Sequence, residues 1–130
     1  MTKKRKYLDD LKIKERPDLW NKNDKRQTKW KKERQKYGFD ERETWSMELS
    51  FRLWLYERLK YFKKHAPIDL SFHKFEYNKK ERTQEELIDE MIKRLEFYFS
   101  KEYNDFDRAN IDYVDEVEKI WALVIHAMWW

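Results

Sequence analysis

The sequence has no cysteine, one glycine and two prolines in 130 residues. The absence of cysteine excludes disulfides, thiolate metal sites and cysteine nucleophiles. A single glycine argues strongly against the glycine-rich loops with which nucleotide-binding folds bring backbone N–H groups close to phosphates. So few glycines and prolines also leave little material for tight turns, which favours long helices over hairpins.

Long hydrophobic runs are missing too, because no stretch approaches the ~20 apolar residues that a membrane span needs. We therefore expect no membrane partner and a cytoplasmic location. Charged residues make up 43% of the chain, but aromatic residues make up 18%, and disordered chains are poor in aromatic residues. A compact core under a highly charged surface is the expected result.

Charge is unevenly distributed along the chain. Residues 1–38 hold 15 Lys and Arg against 6 Asp and Glu, a balance of +9, whereas residues 39–130 hold 15 against 20, a balance of −5. The sequence therefore predicts a basic N-terminal arm over residues 1–38 and an acidic body over residues 39–130.

Three segments of the body show the apolar spacing of amphipathic helices, namely 46–65, 83–100 and 111–130. Thr83 and Glu86 form a capping-box pattern at the start of the second segment. Residues 68–80 alternate only weakly, which leaves open an extended strap or a short strand. The predicted fold class is all-α, a three-helix body with a basic, partly helical arm.

The apolar residues of these helices form the predicted core. In the first helix the pattern selects Met47, Phe51, Trp54, Leu55, Leu59 and Phe62, with Leu49, Leu53 and Tyr56 beside them. The last helix becomes apolar nearly all round after Lys119, so its end is expected deep in the core or in an interface. Its predicted buried residues are Val114, Val117, Ile120, Trp121, Val124, Ile125 and Met128.

Gly38 is the predicted corner between arm and body. A helix over residues 24–38, with Asn23 or Asp24 as its N-cap, is expected to end there, because glycine adopts the left-handed conformation of a helix C-cap without steric cost. Asp40, Thr44 or Ser46 then begins the next helical turn; the pattern does not choose among them.

The candidate binding residues lie in the arm. Basic side chains displace counterions from phosphates, and aromatic rings stack on unpaired bases. The same groups suit an acidic protein surface, and a solvated face without a direct role is the third interpretation. The candidate macromolecule-binding residues are Lys3, Lys4, Arg5, Lys6, Trp20, Lys25, Arg26, Lys29, Trp30, Lys31, Lys32 and Arg34.

Residues with catalytic potential are few. The histidines lie far apart without metal-ligand spacing. The Asp105-x-Asp107 start resembles a calcium loop but lacks its glycine and terminal glutamate. Asp112 is expected to cap or precede the last helix. We therefore expect a non-enzymatic protein with no catalytic residue, no cofactor and no metal.

Three stretches, residues 37–64, 85–99 and 120–130, resemble small uncharacterised accessory proteins of phages and prophages of Gram-positive bacteria. The shared features are an R/D-E-T-W-S/N lead, a W-L-Y-x-R-L-K-x-F-K helix, a D-x-M-I helix and an aromatic tail with a closing Trp. The resemblance carries over no activity and no site residues.

The resemblance implies a phage product in the bacterial host cytoplasm. Combined with the basic arm, it predicts a protein that binds a host or phage macromolecule. The partner would be a protein, a nucleoprotein complex, DNA or RNA, and inhibition of host nuclease-based defence is one such role. The alternative is a structural protein that forms a homo-oligomer through its apolar C-terminal helix.

Overall fold

The computed structural model describes residues 23–130. These residues form five α-helices, one two-stranded hairpin and a closing 3-10 turn, and are mostly helical as predicted. In chain order the elements are α1 (Gln27–Tyr37), α2 (Arg42–Trp45), α3 (Met47–His65), β1 (Lys74–Tyr77), β2 (Lys80–Thr83), α4 (Gln84–Tyr98), α5 (Arg108–Val124) and the 3-10 turn (Ile125–Ala127).

The chain forms two compact units, one ending at Glu57 and one comprising Arg58–Trp130. The boundary between them falls inside α3. The predicted boundary at Gly38 lies within the first unit, where α1 contacts Glu41 and Trp45 on the far side of that glycine. The described part of the predicted arm is therefore packed against the residues that follow it.

The end of α1 is the predicted one. Gly38 has φ 84°, in the left-handed region, and its N–H donates to the Arg34 carbonyl at 3.0 Å. The start of α1 differs from the predicted one. Its N-cap position is Arg26 and not Asn23 or Asp24, and the Arg26 N–H donates to the Asp24 carboxylate at 2.8 Å. After Gly38, α3 begins behind Ser46, whose hydroxyl accepts a hydrogen bond from the Leu49 N–H.

The buried stripe of α3 lies to one side of the predicted one. Leu55, Leu59 and Phe62 are buried as expected, together with the flanking residues Leu49 and Leu53. Met47, the first residue of α3, is exposed and does not belong to that stripe. Phe51 and Trp54 are half-buried and stack with ring centroids 6.2 Å apart.

A β-hairpin corrects the description of the body as purely helical. β1 and β2 pair antiparallel with Lys74 opposite Thr83 and Tyr77 opposite Lys80. The two residues between them, Asn78 and Lys79, have φ values of 53° and 60°. These values fit a two-residue turn with positive φ at both central positions. Neither central residue is glycine, which is why the scarcity of glycine misled the sequence interpretation.

The second unit is built on α4 and α5, which pack along each other. β2 contacts α4 and β1 contacts α5, so the hairpin lies against both helices. The Tyr77 hydroxyl donates to the Glu116 carboxylate on α5 at 2.5 Å, and burial followed by this hydrogen bond raises the pKa of Tyr77 to about 12. The buried apolar residues of α4 and α5 are Leu87, Ile88, Met91, Leu95, Tyr98, Val114, Val117, Ile120 and Val124.

Both ends of α5 depart from the prediction. The cap is Asp107, whose carboxylate accepts from the Ala109 N–H at 2.9 Å, and not Asp112. The α-helix ends at Val124, so Ile125 and Met128 leave the apolar stripe. Trp129 and Trp130 are 71% and 61% exposed, which contradicts a position deep in the core. The spacing of a buried face holds only while the chain remains helical.

The capping box at the start of α4 provides a first stability test. The Thr83 hydroxyl accepts from the Glu86 N–H, and the Glu86 carboxylate accepts from the Thr83 N–H, as the sequence predicts. We expect Thr83→Ala to lower the free energy of unfolding by about 1 kcal/mol, because the Glu86 N–H loses its acceptor. Urea denaturation followed by circular dichroism measures the change. Thr28→Ala, at an exposed position inside α1, is the control and should not reproduce it.

Candidate functional site

The solvent-facing side of α1 carries a row of lysines. Residues three or four apart are neighbours on a helix, so Lys29, Lys32 and Lys36 of α1 lie in one row, and Lys25 precedes them in the turn before the helix. Together with Thr28, Glu33 and Tyr37 they line one open surface. We call the four lysines the lysine face.

Three of these lysines are available to a ligand. Lys25, Lys32 and Lys36 have no carboxylate within 4 Å among residues 23–130. Lys29 bonds to the Glu41 carboxylate at 2.8 Å, and this bond raises the pKa of Lys29. Its ammonium is therefore charged at neutral pH, and a phosphate has to compete with Glu41 for it. Glu33, the one acid on this surface, accepts from the Glu41 N–H at 3.4 Å.

The opposite side of α1 is held by Trp30, which is fully buried. Its indole Nε1–H donates to the Glu41 carboxylate at 2.9 Å, and its ring meets Trp45 edge-on with centroids 5.8 Å apart. The guanidinium carbons of Arg42 and Arg26 lie 4.4 Å and 4.9 Å from the ring centroid. A ring covered in this way cannot stack on a base, so Trp30 is a packing residue and we remove it from the binding surface.

A buried carboxylate fixes the turn after α1. Asp40 is almost fully buried and accepts from Arg34 at 2.7 Å and from Arg42 at 2.8 Å and 3.0 Å. Burial opposes ionisation of this carboxyl, but the hydrogen bonds from Arg42 and Arg34 outweigh it and hold the pKa of Asp40 below its ordinary value. Arg34 is therefore an internal ion-pair partner of Asp40.

Arg26 also has internal partners. Its guanidinium bonds to Asp24 at 2.7 Å and lies over the rings of Trp30 and Trp45. The hydrogen bonds from Arg26 lower the pKa of Asp24 to about 2.

An exposed aromatic pair lies at the end of the lysine face. Tyr37, the last residue of α1, and Phe39 are 58% and 42% exposed, with ring centroids 6.1 Å apart. The left-handed Gly38 separates them. The Lys36 ammonium is 5.2 Å from the Tyr37 ring centroid, so a cation of the lysine face touches the aromatic pair directly.

The predicted binding residues thus separate into groups. Lys25, Lys29 and Lys32 lie on the lysine face, and Lys31 is exposed on another side of α1. Arg26, Trp30 and Arg34 have the internal contacts given above. Lys3, Lys4, Arg5, Lys6 and Trp20 lie outside the described residues.

The predicted binding residues did not include Lys36, Tyr37 and Phe39, which belong to this surface. The spacing of Lys36 from Lys29 and Lys32, seven and four residues, was the available signal for Lys36. For Phe39 there was none, because an apolar residue after a glycine cap is normally explained by packing on the helix.

Residues 23–130 contain no candidate metal site and no candidate membrane span. Within that range, no three carboxylate or imidazole side chains converge as metal ligands would. None of the described helices combines the length and apolar character required to cross a lipid bilayer.

No protein-family model, curated protein or solved structure matches the chain. The resemblance to phage accessory proteins therefore stays a prediction, and the surface of α1 is the feature that bears on function.

The Asp40 ion pairs give a second stability test. We expect Asp40→Asn to lower the free energy of unfolding by about 3 kcal/mol, because it leaves Arg34 and Arg42 without their buried counter-charge. Urea denaturation at neutral pH measures this. Asp24→Asn is the matched control, since its partner Arg26 is half exposed to solvent and the loss of this pair should have a much smaller effect.

The same carboxylate makes stability depend on pH. The pKa of Asp40 is lower in the folded chain than its ordinary value of 3.8, so the unfolded chain binds the proton more readily. The stabilisation is complete above pH 3.8 and declines as the pH falls below it. Asp40→Asn should flatten this decline; an unchanged acid-unfolding curve would contradict the role given to Asp40.

Proposed function

We propose that the chain binds nucleic acid through the lysine face of α1. The observation that carries the proposal is the row of Lys25, Lys32 and Lys36, exposed cations that no described carboxylate neutralises, with Lys29 between them. Cations in a row along one helix suit a ligand that repeats its negative charge, as a phosphate backbone does.

The burial of Trp30 supports this assignment. Because one side of α1 is fastened to Glu41, Trp45 and Arg42, the lysine face is held outward. A positively charged surface that is already in place does not have to be ordered by its ligand, which lowers the cost of binding. Lysine provides point charges without the planar fork of arginine, so the surface is suited to phosphates and not to reading base edges.

Adjacent lysines provide the test. Lys32 lies on the lysine face and Lys31 on another side of the same helix, so Lys32→Gln and Lys31→Gln make the same chemical change in two environments. We expect Lys32→Gln to weaken binding of a labelled oligonucleotide and to lower the slope of log K against log salt by about 0.7 to 0.9, the contribution of one phosphate contact. Fluorescence anisotropy across a salt series measures both quantities.

Lys31→Gln should leave the slope unchanged. Equal effects of the two variants would mean that binding follows total charge and not the lysine face. Binding of poly-glutamate in preference to an oligonucleotide would assign the surface to an acidic protein partner instead. Deleting α1 is a poorer experiment, because it also removes Trp30 from the interior of the first unit.

A second candidate function is self-association through the end of α5. Leu123, Ile125, Trp129 and Trp130 expose apolar surface there, and exposed apolar patches mark interaction sites. If a second copy covers this surface, sedimentation should show an oligomer that dissociates on dilution. Trp129→Ala with Trp130→Ala should abolish it without loss of helicity. A monomer at all concentrations would remove this candidate.

A further inference from the structure

The exposed pair Tyr37–Phe39 is the feature of this surface that phosphate binding alone does not explain. Large aromatic rings contribute most to stability when they are buried, yet these two are about half exposed. They lie next to each other with centroids 6.1 Å apart, and a lysine of the lysine face is in contact with Tyr37. Cations and aromatic rings therefore form one continuous surface.

The conformation of Gly38 holds the two rings together. Its φ of 84° ends α1, so that Phe39 turns back toward Tyr37 and does not continue along the helix. On the far side of Phe39 the buried Asp40 is fixed by Arg34 and Arg42. The aromatic pair is thus held by the helix cap between its rings and by the ion pair that follows it, so little conformational entropy is lost when a ligand binds.

Exposed rings beside cations distinguish among nucleic acids. The faces of bases inside a duplex are covered by their neighbours, whereas unpaired bases offer a free face to an aromatic side chain. Proteins that bind single strands combine a cationic track for the backbone with rings on which bases stack. A duplex would use the lysines and gain nothing from Tyr37 and Phe39.

The dimensions of the surface suit a short strand. Within α1, Lys29 and Lys36 are seven residues apart, which is about 10 Å along the helix axis, and Lys25 extends the surface from the turn before the helix. The aromatic pair lies at the Lys36 end. A strand whose phosphates contact the lysine face therefore brings an unpaired base next to the two rings.

We propose that the lysine face and the Tyr37–Phe39 pair form a single binding site for single-stranded nucleic acid, in which lysines hold phosphates and the rings stack on an unpaired base. This inference rests on the proposed function and specifies its ligand.

The test compares one oligonucleotide as a single strand and as a duplex, by fluorescence anisotropy with the full chain. We expect the wild type to prefer the single strand. Tyr37→Leu and Phe39→Leu should each weaken single-strand binding at least about fivefold, the lower limit for loss of one stacked base, and leave duplex binding unchanged. Tyr37→Phe keeps the ring and should bind like the wild type.

The salt dependence of binding and variants of other exposed rings distinguish a stacking role of Tyr37 and Phe39 from a merely structural one. Because Tyr37 and Phe39 contact no phosphate, their loss should lower affinity without changing the salt slope, unlike loss of Lys32. Tyr61→Leu and Phe106→Leu change exposed rings elsewhere in the chain and serve as matched controls that should bind normally. Circular dichroism of each variant verifies that helicity is retained.

The outcomes separate the two proposals. Equal affinity for single strand and duplex, with no effect of Tyr37→Leu or Phe39→Leu but a reduced salt slope for Lys32→Gln, would overturn the stacking site and leave nucleic-acid binding standing. No binding of either form at low salt would overturn both.

Discussion

The burial of Trp30 determines what α1 presents to solvent. Its indole is fully buried, hydrogen-bonded to Glu41 and in edge contact with Trp45. A helix fastened along one line keeps the opposite line outward. The lysine face therefore exists as a surface because one tryptophan on the other side is packed, and α1 needs that anchor since it has few other apolar residues.

Charge in this region has two separate uses. Arg26, Arg34 and Arg42 bond to Asp24 and Asp40 or lie over Trp30 and Trp45, whereas the lysines lie outward. The division follows the chemistry of the two side chains, because guanidinium is planar, weakly hydrated and suited to buried ion pairs, while ammonium is strongly hydrated. The arginines around α1 thus pair with neighbouring carboxylates or rings, and the lysines face solvent.

Helical elements were readable from the sequence where the signal is local. The Thr83–Glu86 box depends on residues three apart, and the left-handed cap at Gly38 depends on the absence of a side chain, so both were predicted and are present. The hairpin was not predicted as such; the sequence left open only a strap or a short strand. Asn78 and Lys79 adopt positive φ without glycine, and the pairing of β1 with β2 joins residues on the two sides of the turn, so no local pattern indicated it. The prediction that the end of α5 lies deep in the core was wrong, since periodicity does not indicate where a helix ends, whereas its place in an interface stays a prediction.

By itself, the sequence determined a mostly helical chain, a basic first third and the helix end at Gly38, because composition and short-range spacing specify these. Only the tertiary structure decided which basic and aromatic residues meet solvent. Trp30 and Tyr37 both lie in α1, yet one is buried and the other exposed. The environment of Trp30 depends on Glu41, Arg42 and Trp45, which the chain brings to α1 only after it turns at Gly38.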